Sequence, residues 1–285
     1  MDIVLRRATA GDAAAAGRIC YEAFAKINTD HGFAPDFPNL DAAIGLLSGL
    51  FRHPGCYAVV AERDGALLGS NVLCEHGTVA GIGPITVDPA QQNGGVGRQL
   101  MLHVLDRAAA RGAAGVRLVQ AAFHNRSLSL YTKLGFDARE PLSCVQGPPL
   151  GVAMPGWSVR PATADDVAAC NRLCLRVHGH TRDGDLRDGV ARGTAVVVER
   201  HGHLRGYASA LAFFGHAVGE TNEDIQAMLA AAPALGGPGV LVPTRNSALL
   251  RWCLDHGLRI TQPMTLMTTG LYNEPQGSYL TSILY

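Results

Sequence analysis

Ile85-Thr86-Val87-Asp88-Pro89-Ala90-Gln91-Gln92-Asn93-Gly94-Gly95-Val96-Gly97-Arg98-Gln99-Leu100-Met101 carries more structural information than any other stretch of the chain. A β-branched run stops at a proline, and three glycines follow. Leu100, Val104 and Ala108 then recur at helical spacing up to about Arg111. The segment therefore reads as a strand, a glycine-rich turn and the start of a helix. Glycines at such a junction let a ligand approach the backbone. The N–H groups of Gly95, Val96, Gly97 and Arg98 precede the first intrahelical bond and point out of the positive end of the helix, where an anion is favoured. A pyrophosphate is the natural occupant, and Arg98 adds a charge for a further phosphate. The spacing fits neither a Walker A loop nor a dinucleotide-binding GxGxxG turn, and no βαβ unit opens the chain.

Outside this loop the chain repeats itself. Arg6 to Cys20 reads RRATAGDAAAAGRIC, and Arg160 to Cys174 reads RPATADDVAACNRLC, at an offset of 154 (160 − 6). In each copy a strand end leads to a Thr-x-x-Asp helix start, with Thr9 and Thr163 as N-caps and Asp12 and Asp166 in the capping-box position. Val59 to Gly69 resembles Val196 to Gly206 at an offset of 137 (196 − 59), and both read as β-hairpins turning at a glycine. His124 to Phe136 resembles Asn246 to Leu258 at an offset of 122 (246 − 124), each a capped helix ending at a glycine. Two domains are expected, residues 1–147 and 157–285, joined by a Pro/Gly-containing linker. Both follow the order strand, helix, hairpin, helix, strand, helix, strand, and the second copy is abbreviated.

Composition narrows the function. The 285 residues hold 24 Lys+Arg against 24 Asp+Glu, so the formal net charge is zero, which disfavours a nucleic-acid or polybasic membrane-binding role. Only 17% of residues are charged, which suits a large interdomain surface hidden from water. Seven cysteines with no CxxC pair suit a reduced, cytoplasmic chain, and neither a signal peptide nor a membrane-spanning run is legible. Histidines are numerous, but no zinc-finger spacing occurs and no metal is expected. Cys144, alone on a strand, reads as core rather than as an acyl-carrying nucleophile.

At this point the sequence resembles the GNAT superfamily of acyl-CoA-dependent N-acetyltransferases, in a tandem form with a degenerate second domain. Their pattern Gln/Arg-x-x-Gly-x-Gly/Ala stands here as Gln92-Asn93-Gly94-Gly95-Val96-Gly97. Their later Asn-x-x-Ala-x-x-Leu-Tyr-x-x-x-Gly-Phe stands as His124-Asn125-Arg126-Ser127-Leu128-Ser129-Leu130-Tyr131-Thr132-Lys133-Leu134-Gly135-Phe136, with His124 in place of the usual Asn and Asn125 one position on. The resemblance implies an α/β fold, each domain a mixed, mostly antiparallel sheet flanked by helices. It implies that Gly95 to Arg98 hold the pyrophosphate of acetyl-CoA as co-substrate, that Ile85, Thr86 and Val87 pair with its pantetheine arm, and that His124 or Asn125 contacts it. Tyr131 would be the general acid for the departing thiolate. Glu75, with His76 as the alternative, is the candidate base. The expected reaction is transfer of an acetyl group to a primary amine, on a small molecule or a peptide, with a homodimer admissible. The alternative is a non-catalytic acyl-CoA sensor or structural protein.

The second copy has lost the loop. At its position stand Glu220, Thr221, Asn222, Glu223 and Asp224, whose carboxylates satisfy the helix start and repel a pyrophosphate. Cys253 replaces the tyrosine, so this half is expected not to bind CoA in the usual way. The tail, Tyr279 to Tyr285, reads as an apolar strand expected to pack at the domain junction and complete the first domain's sheet.

Overall fold

The repeated Thr-x-x-Asp turns nucleate the two copies alike. In the computed structural model, which describes residues 2–285, Asp12 Oδ2 accepts the Thr9 N–H at 2.7 Å, and Asp166 Oδ2 accepts the Thr163 N–H at 2.8 Å. Arg6 clamps Asp12 and Glu62, each at 2.8 Å. Arg160 does the same with Asp166 at 2.8 Å and Glu199 at 2.7 Å. The guanidinium holds both Asp12 and Asp166 below the usual carboxylate range. Each triad ties the first strand, the first helix and the hairpin of its copy together.

The first half runs β1 Val4–Arg7, α1 Ala13–Asp30, α2 Leu40–Arg52, β2 Cys56–Arg63, β3 Ala66–Cys74, β4 Val79–Ile82, β5 Thr86–Val87, α3 Val96–Ala110, β6 Gly115–Ala121, α4 Asn125–Lys133 and β7 Asp137–Gln146. The second runs β8 Trp157–Pro161, α5 Val167–His178, α6 Asp183–Ala191, β9 Val196–Arg200, β10 His203–Ala208, β11 Ala217–Gly219, α7 Asn222–Ala231, β12 Val240–Pro243, α8 Ser247–Asp255, β13 Arg259–Gly270 and β14 Ser278–Leu280. The hairpins β2–β3 and β9–β10 turn at Asp64-Gly65 and His201-Gly202. All four of these residues have positive φ, as a type I′ turn demands.

The two copies exchange strands. β6 and β7 do not pair with each other. β13, from the second half, lies between them and runs antiparallel to both, with Met267 opposite Leu118 and Met264 opposite Leu142. The far edge of β7 is taken by β12, with Leu241 opposite Cys144. One sheet therefore reads β1-β2-β3-β4-β6-β13-β7-β12, with β5 beside β3. Its centre is apolar, and Met267, Cys144 and Leu241 are fully buried. Glu140 on β7, 3% exposed, receives Arg245 of the second half at 2.6 Å.

β14 does not complete the first sheet; β13 fills that place. β14 instead pairs with β11 in the second sheet, β14-β11-β10-β9-β8, with Tyr279 opposite Val218. The tail then crosses the junction. Thr281 N–H donates to Leu241 O at 3.1 Å and Ile283 N–H to Phe213 O at 2.9 Å. Leu284 O packs so closely on Gly81 of β4 that a side chain there would collide with it. The Tyr285 hydroxyl meets Arg117 and His180. The tail thus packs at the junction as expected, by another pairing.

β4 and β6 form the one parallel ladder between strands among the described residues, Val79–Gly81 against Gly115–Arg117. Past it they diverge. Ile85 to Val87 continues along β3 and has no partner on the β6 side. The halves also meet through His76 Nε2 and Asp185 Oδ1 at 3.1 Å.

Two outcomes are expected. Residues 1–147 alone leave the facing edges of β6 and β7 unpaired, so this fragment should be unfolded or aggregated by circular dichroism and size exclusion, and mixing with 157–285 during refolding should restore structure. The Asp185 carboxylate raises the pKa of His76, so that pair stabilises the fold fully below the ordinary histidine value and less as pH rises through the raised one. The melting-temperature loss on His76→Gln should accordingly be larger at about pH 5.5 than at about pH 9.

Candidate active site

The divergence of β5 from β6 opens a cleft of about 400 Å³. At one end lies the glycine loop. Gly95 caps α3 with φ +83°, a left-handed conformation that explains glycine there, and Gln99 N–H makes the first helical bond to Gly95 O at 3.1 Å. The N–H groups of Val96, Gly97 and Arg98 precede that bond and remain free for a ligand. Gln92 Nε2 donates to Val87 O at 3.2 Å, and Arg126 donates to Gln92 Oε1 at 2.9 Å, which fixes the loop to the strand and to α4. Arg98 and Arg126 both line the cleft, so this end is cationic. Ile85, Thr86 and Val87 form its wall, paired with β3 on one edge; the other edge has no strand partner among the described residues and is touched there by Gln92 at Val87 O. These features fit the phosphates and amide-bearing arm of acetyl-CoA: free donors, a cationic rim and an open strand edge.

Most of the residues singled out from the sequence meet here. Gln92, Asn93, Gly95, Val96, Gly97, Arg98, His124 and Tyr131 line the cleft with the strand. Gly94 shapes the turn without lining it. Asn125 is exposed and lies outside the cleft. His124 caps α4 instead: its Nδ1 accepts Ser127 N–H at 3.1 Å, as Asn246 Oδ1 accepts Leu249 N–H at 3.2 Å in the second copy. Burial holds its pKa below the ordinary value, so the ring is neutral and its Nε2 carries the proton. Tyr131, 7% exposed, borders the cleft, and desolvation pushes its pKa well up, so the phenol keeps its proton.

Glu75 is not brought to the site. Both its oxygens are bound by Arg107, at 2.7 and 3.0 Å, and this pairing holds its pKa below the usual range. A carboxylate so paired, away from the cleft, cannot take a proton from a substrate there. His76 is likewise outside it, against Asp185. A carboxylate does reach the cleft from the loop between α1 and α2: Asp36. Gln262 Nε2 of β13 donates to its Oδ1 at 3.1 Å, and desolvation raises its pKa. Phe33 stacks on Phe123 at 4.2 Å and anchors that loop over the end of β6. In the sequence Asp36 is one of two acids, with Asp30, in the stretch Asn28 to Pro38, where it suggests a polar cleft without a particular substrate. Its placement depends on β13, more than two hundred residues away.

His53, His76 and Asp188 bring candidate metal-ligand atoms within 4.8 Å of one another. His53 Nδ1 accepts Gly55 N–H at 3.1 Å, so its Nε2 carries a proton and donates to Asp188 at 3.0 Å. This is the arrangement of a hydrogen-bonded clamp between the halves, and ligation would require that proton to leave.

In the second copy the same place is filled from within. Gly206 opposes Gly219 as Gly69 opposes Val87, so β11 is the counterpart of Ile85 to Val87, and its outer edge is covered by β14. Asp224, 1% exposed, accepts Thr221 N–H at 2.9 Å and Trp157 Nε1 at 3.0 Å at the start of α7. Cys253 is fully buried, its thiol pushed up to about 12 by desolvation.

A helix start with free N–H groups beside a split in a mixed sheet is an arrangement that suits an acyl-CoA, and it occurs in one of the two related halves. Residues 20–136 match the model of the acetyltransferase (GNAT) family. A protein from Pyrococcus horikoshii proposed to be an acetyltransferase superimposes with a TM-score of 0.75 over 99% of this chain and 92% of that one, at 17% identity. A tandem GNAT protein from the clavulanic acid biosynthesis pathway gives a TM-score of 0.57 over 94% and 98%, at 13% identity. These likenesses show that the two-copy fold spans the whole chain. Mycothiol acetyltransferase of Streptosporangium roseum is 41% identical over 61 residues, a match spanning 21% of this chain and 18% of that relative. Among the described residues no helix is long and apolar enough to cross a membrane.

A Cβ on Gly97 would meet only ordinary contacts, Val87 at 3.6 Å and Leu130 at 3.8 Å. Gly97→Glu should therefore fold normally yet place a carboxylate where the phosphate sits, and acetyl-CoA binding by calorimetry should disappear. Binding at wild-type strength would place the site elsewhere.

Proposed function

We propose that the first domain transfers an acetyl group from acetyl-CoA to a primary amine by direct attack. The observation that carries this reading is the convergence on one cleft of free helix N–H groups, an unpaired strand edge and a desolvated, protonated Tyr131. Bound acetyl-CoA supplies an activated thioester. The N–H groups of Gly95 to Arg98 hold its pyrophosphate, with Arg98 and Arg126 beside it. The backbone of Ile85 to Val87 pairs with the pantetheine amides, which aims the thioester between β5 and β6. His124 presents an Nε2–H donor along the same wall. As the C–S bond breaks and the N–C bond forms, Tyr131 gives its proton to the sulfur. The phenol suits the task because burial keeps it protonated until a thiolate, itself a stronger base once desolvated, develops beside it.

The second domain binds no CoA in this reading. It contributes β13, which closes the first sheet, and Phe213, Phe214, Ile283 and Leu284, which wall the cleft. The short match to mycothiol acetyltransferase supports acetyl transfer but covers too little of that protein to bring its acceptor here.

The test is release of CoA from acetyl-CoA over a panel of primary amines. Tyr131→Phe should lower kcat about a hundredfold or more on an active amine and leave the acetyl-CoA Kd unchanged. Tight acetyl-CoA binding with no turnover on any amine would instead make the protein an acyl-CoA sensor.

A further inference from the structure

The cleft lining combines two kinds of chemistry. The glycine loop and α4 bring Arg98, Arg126 and the helix N–H groups. Phe24, Phe37, Phe213, Phe214 and Met264 line the same cleft, together with Asp36. Phe24 and Phe37 lie with ring centroids 6.1 Å apart on the side of α1 and its loop. Phe213 and Met264 of the second half pack in an apolar cluster with Leu142 and Cys144 of β7, and Phe214 stands 41% exposed beside Phe213. Two acids line the cleft, Asp30 and Asp36. Asp30 is exposed and already paired with Lys26 at 2.8 Å. Asp36 accepts from the amide of Gln262 at 3.1 Å and pairs with no cation among the described residues.

A desolvated carboxylate with no cation of its own, at the mouth of an aromatic cavity, lacks one counter-charge. We infer that the acceptor is a monoamine carried on an aromatic or bulky apolar group, its ammonium seated on Asp36 and its apolar body between Phe37 and the Phe213–Phe214 pair of the second domain. This deepens the acetyl-transfer reading and rests on it. An amino acid fits worse, because with its ammonium on Asp36 its carboxylate would lie beside a carboxylate and against phenyl rings. A polyamine fits worse, because its further ammonium groups would find no second free carboxylate. Asp36 also offers a proton acceptor within the cleft. The nitrogen arrives as ammonium and leaves as amide, so it releases two protons. One goes to Asp36 and on to water; the other replaces the proton that Tyr131 gives the sulfur. Desolvation raises the affinity of Asp36 for that proton, as a base needs.

The experiment measures binding without acetyl-CoA present, by calorimetry with 2-phenylethylamine, ethylamine, 2-phenylethanol, phenylalanine and spermidine. 2-Phenylethylamine should bind at least tenfold tighter than any of the other four. Asp36→Asn should weaken 2-phenylethylamine at least tenfold and leave 2-phenylethanol unchanged. Phe214→Ala, at a partly exposed position that the fold does not need, should weaken 2-phenylethylamine severalfold and leave ethylamine unchanged. Equal binding of 2-phenylethylamine and ethylamine, or of charged and neutral phenyl ligands, by the wild-type protein would overturn the inference even if Asp36→Asn fails to fold. Acetyl-CoA binding is titrated on the same samples. Its absence would sink the acetyl-transfer reading itself, whereas acetyl-CoA binding with an indifferent Asp36→Asn would sink only the assignment of the acceptor.

Discussion

A strand buried in the middle of a sheet must have both of its hydrogen-bonding edges satisfied, and most of this molecule follows from how that requirement is met. In each half two successive strands, β6 and β7 or β12 and β13, lie in one sheet without pairing with each other. Neither half fills its own gap. β13 enters between β6 and β7, and β12 then caps β7 from the other side, so four strands alternate between the halves. The bonds that close the first sheet are supplied by residues encoded after the linker. The cleft inherits this dependence: β13 supplies Met264 to its lining and Gln262 to the carboxylate of Asp36.

The two copies keep the same cap, ion triad and hairpin, and differ where a strand edge is left free. In the first copy the edge of Ile85 to Val87 opens onto the cleft, beside a helix start that carries no acid of its own. In the second, the matching edge of β11 is occupied by β14 and the helix start by Asp224. The same two needs, a strand edge and a helix dipole, are left open in one copy and met by the protein in the other. The tail that closes the second site continues to the first, where Ile283 and Leu284 wall the cleft.

Charge is distributed accordingly. A chain with no net charge concentrates cations at the loop end of one cleft and spends much of its acidity on internal clamps. Glu75 with Arg107, Glu140 with Arg245, and Asp185 with His76 and Arg182 all bind structure to structure. Glu75 shows why a carboxylate near a strand end is weak evidence for a base: Arg107 on α3 and Arg111 just past its end, one turn apart, claim it first.

The sequence by itself determined everything that depends on neighbours along the chain. The duplicated plan, the Thr9 and Thr163 caps, the glycine turn of the two hairpins and the anion-accepting start of α3 are local consequences of residue type and spacing, and so was the loss of that start in the second copy. The loop residues and Tyr131 were legible for the same reason, since one turn and one helix carry them. Only the tertiary structure decided which half supplies β13, where β14 pairs, that His124 serves as a helix cap while Asn125 faces outward, and that Asp36 rather than Glu75 reaches the cleft. Those outcomes are settled by pairings across one to two hundred residues. Strand edges and carboxylates have many competing partners at that range, and sequence spacing does not rank them.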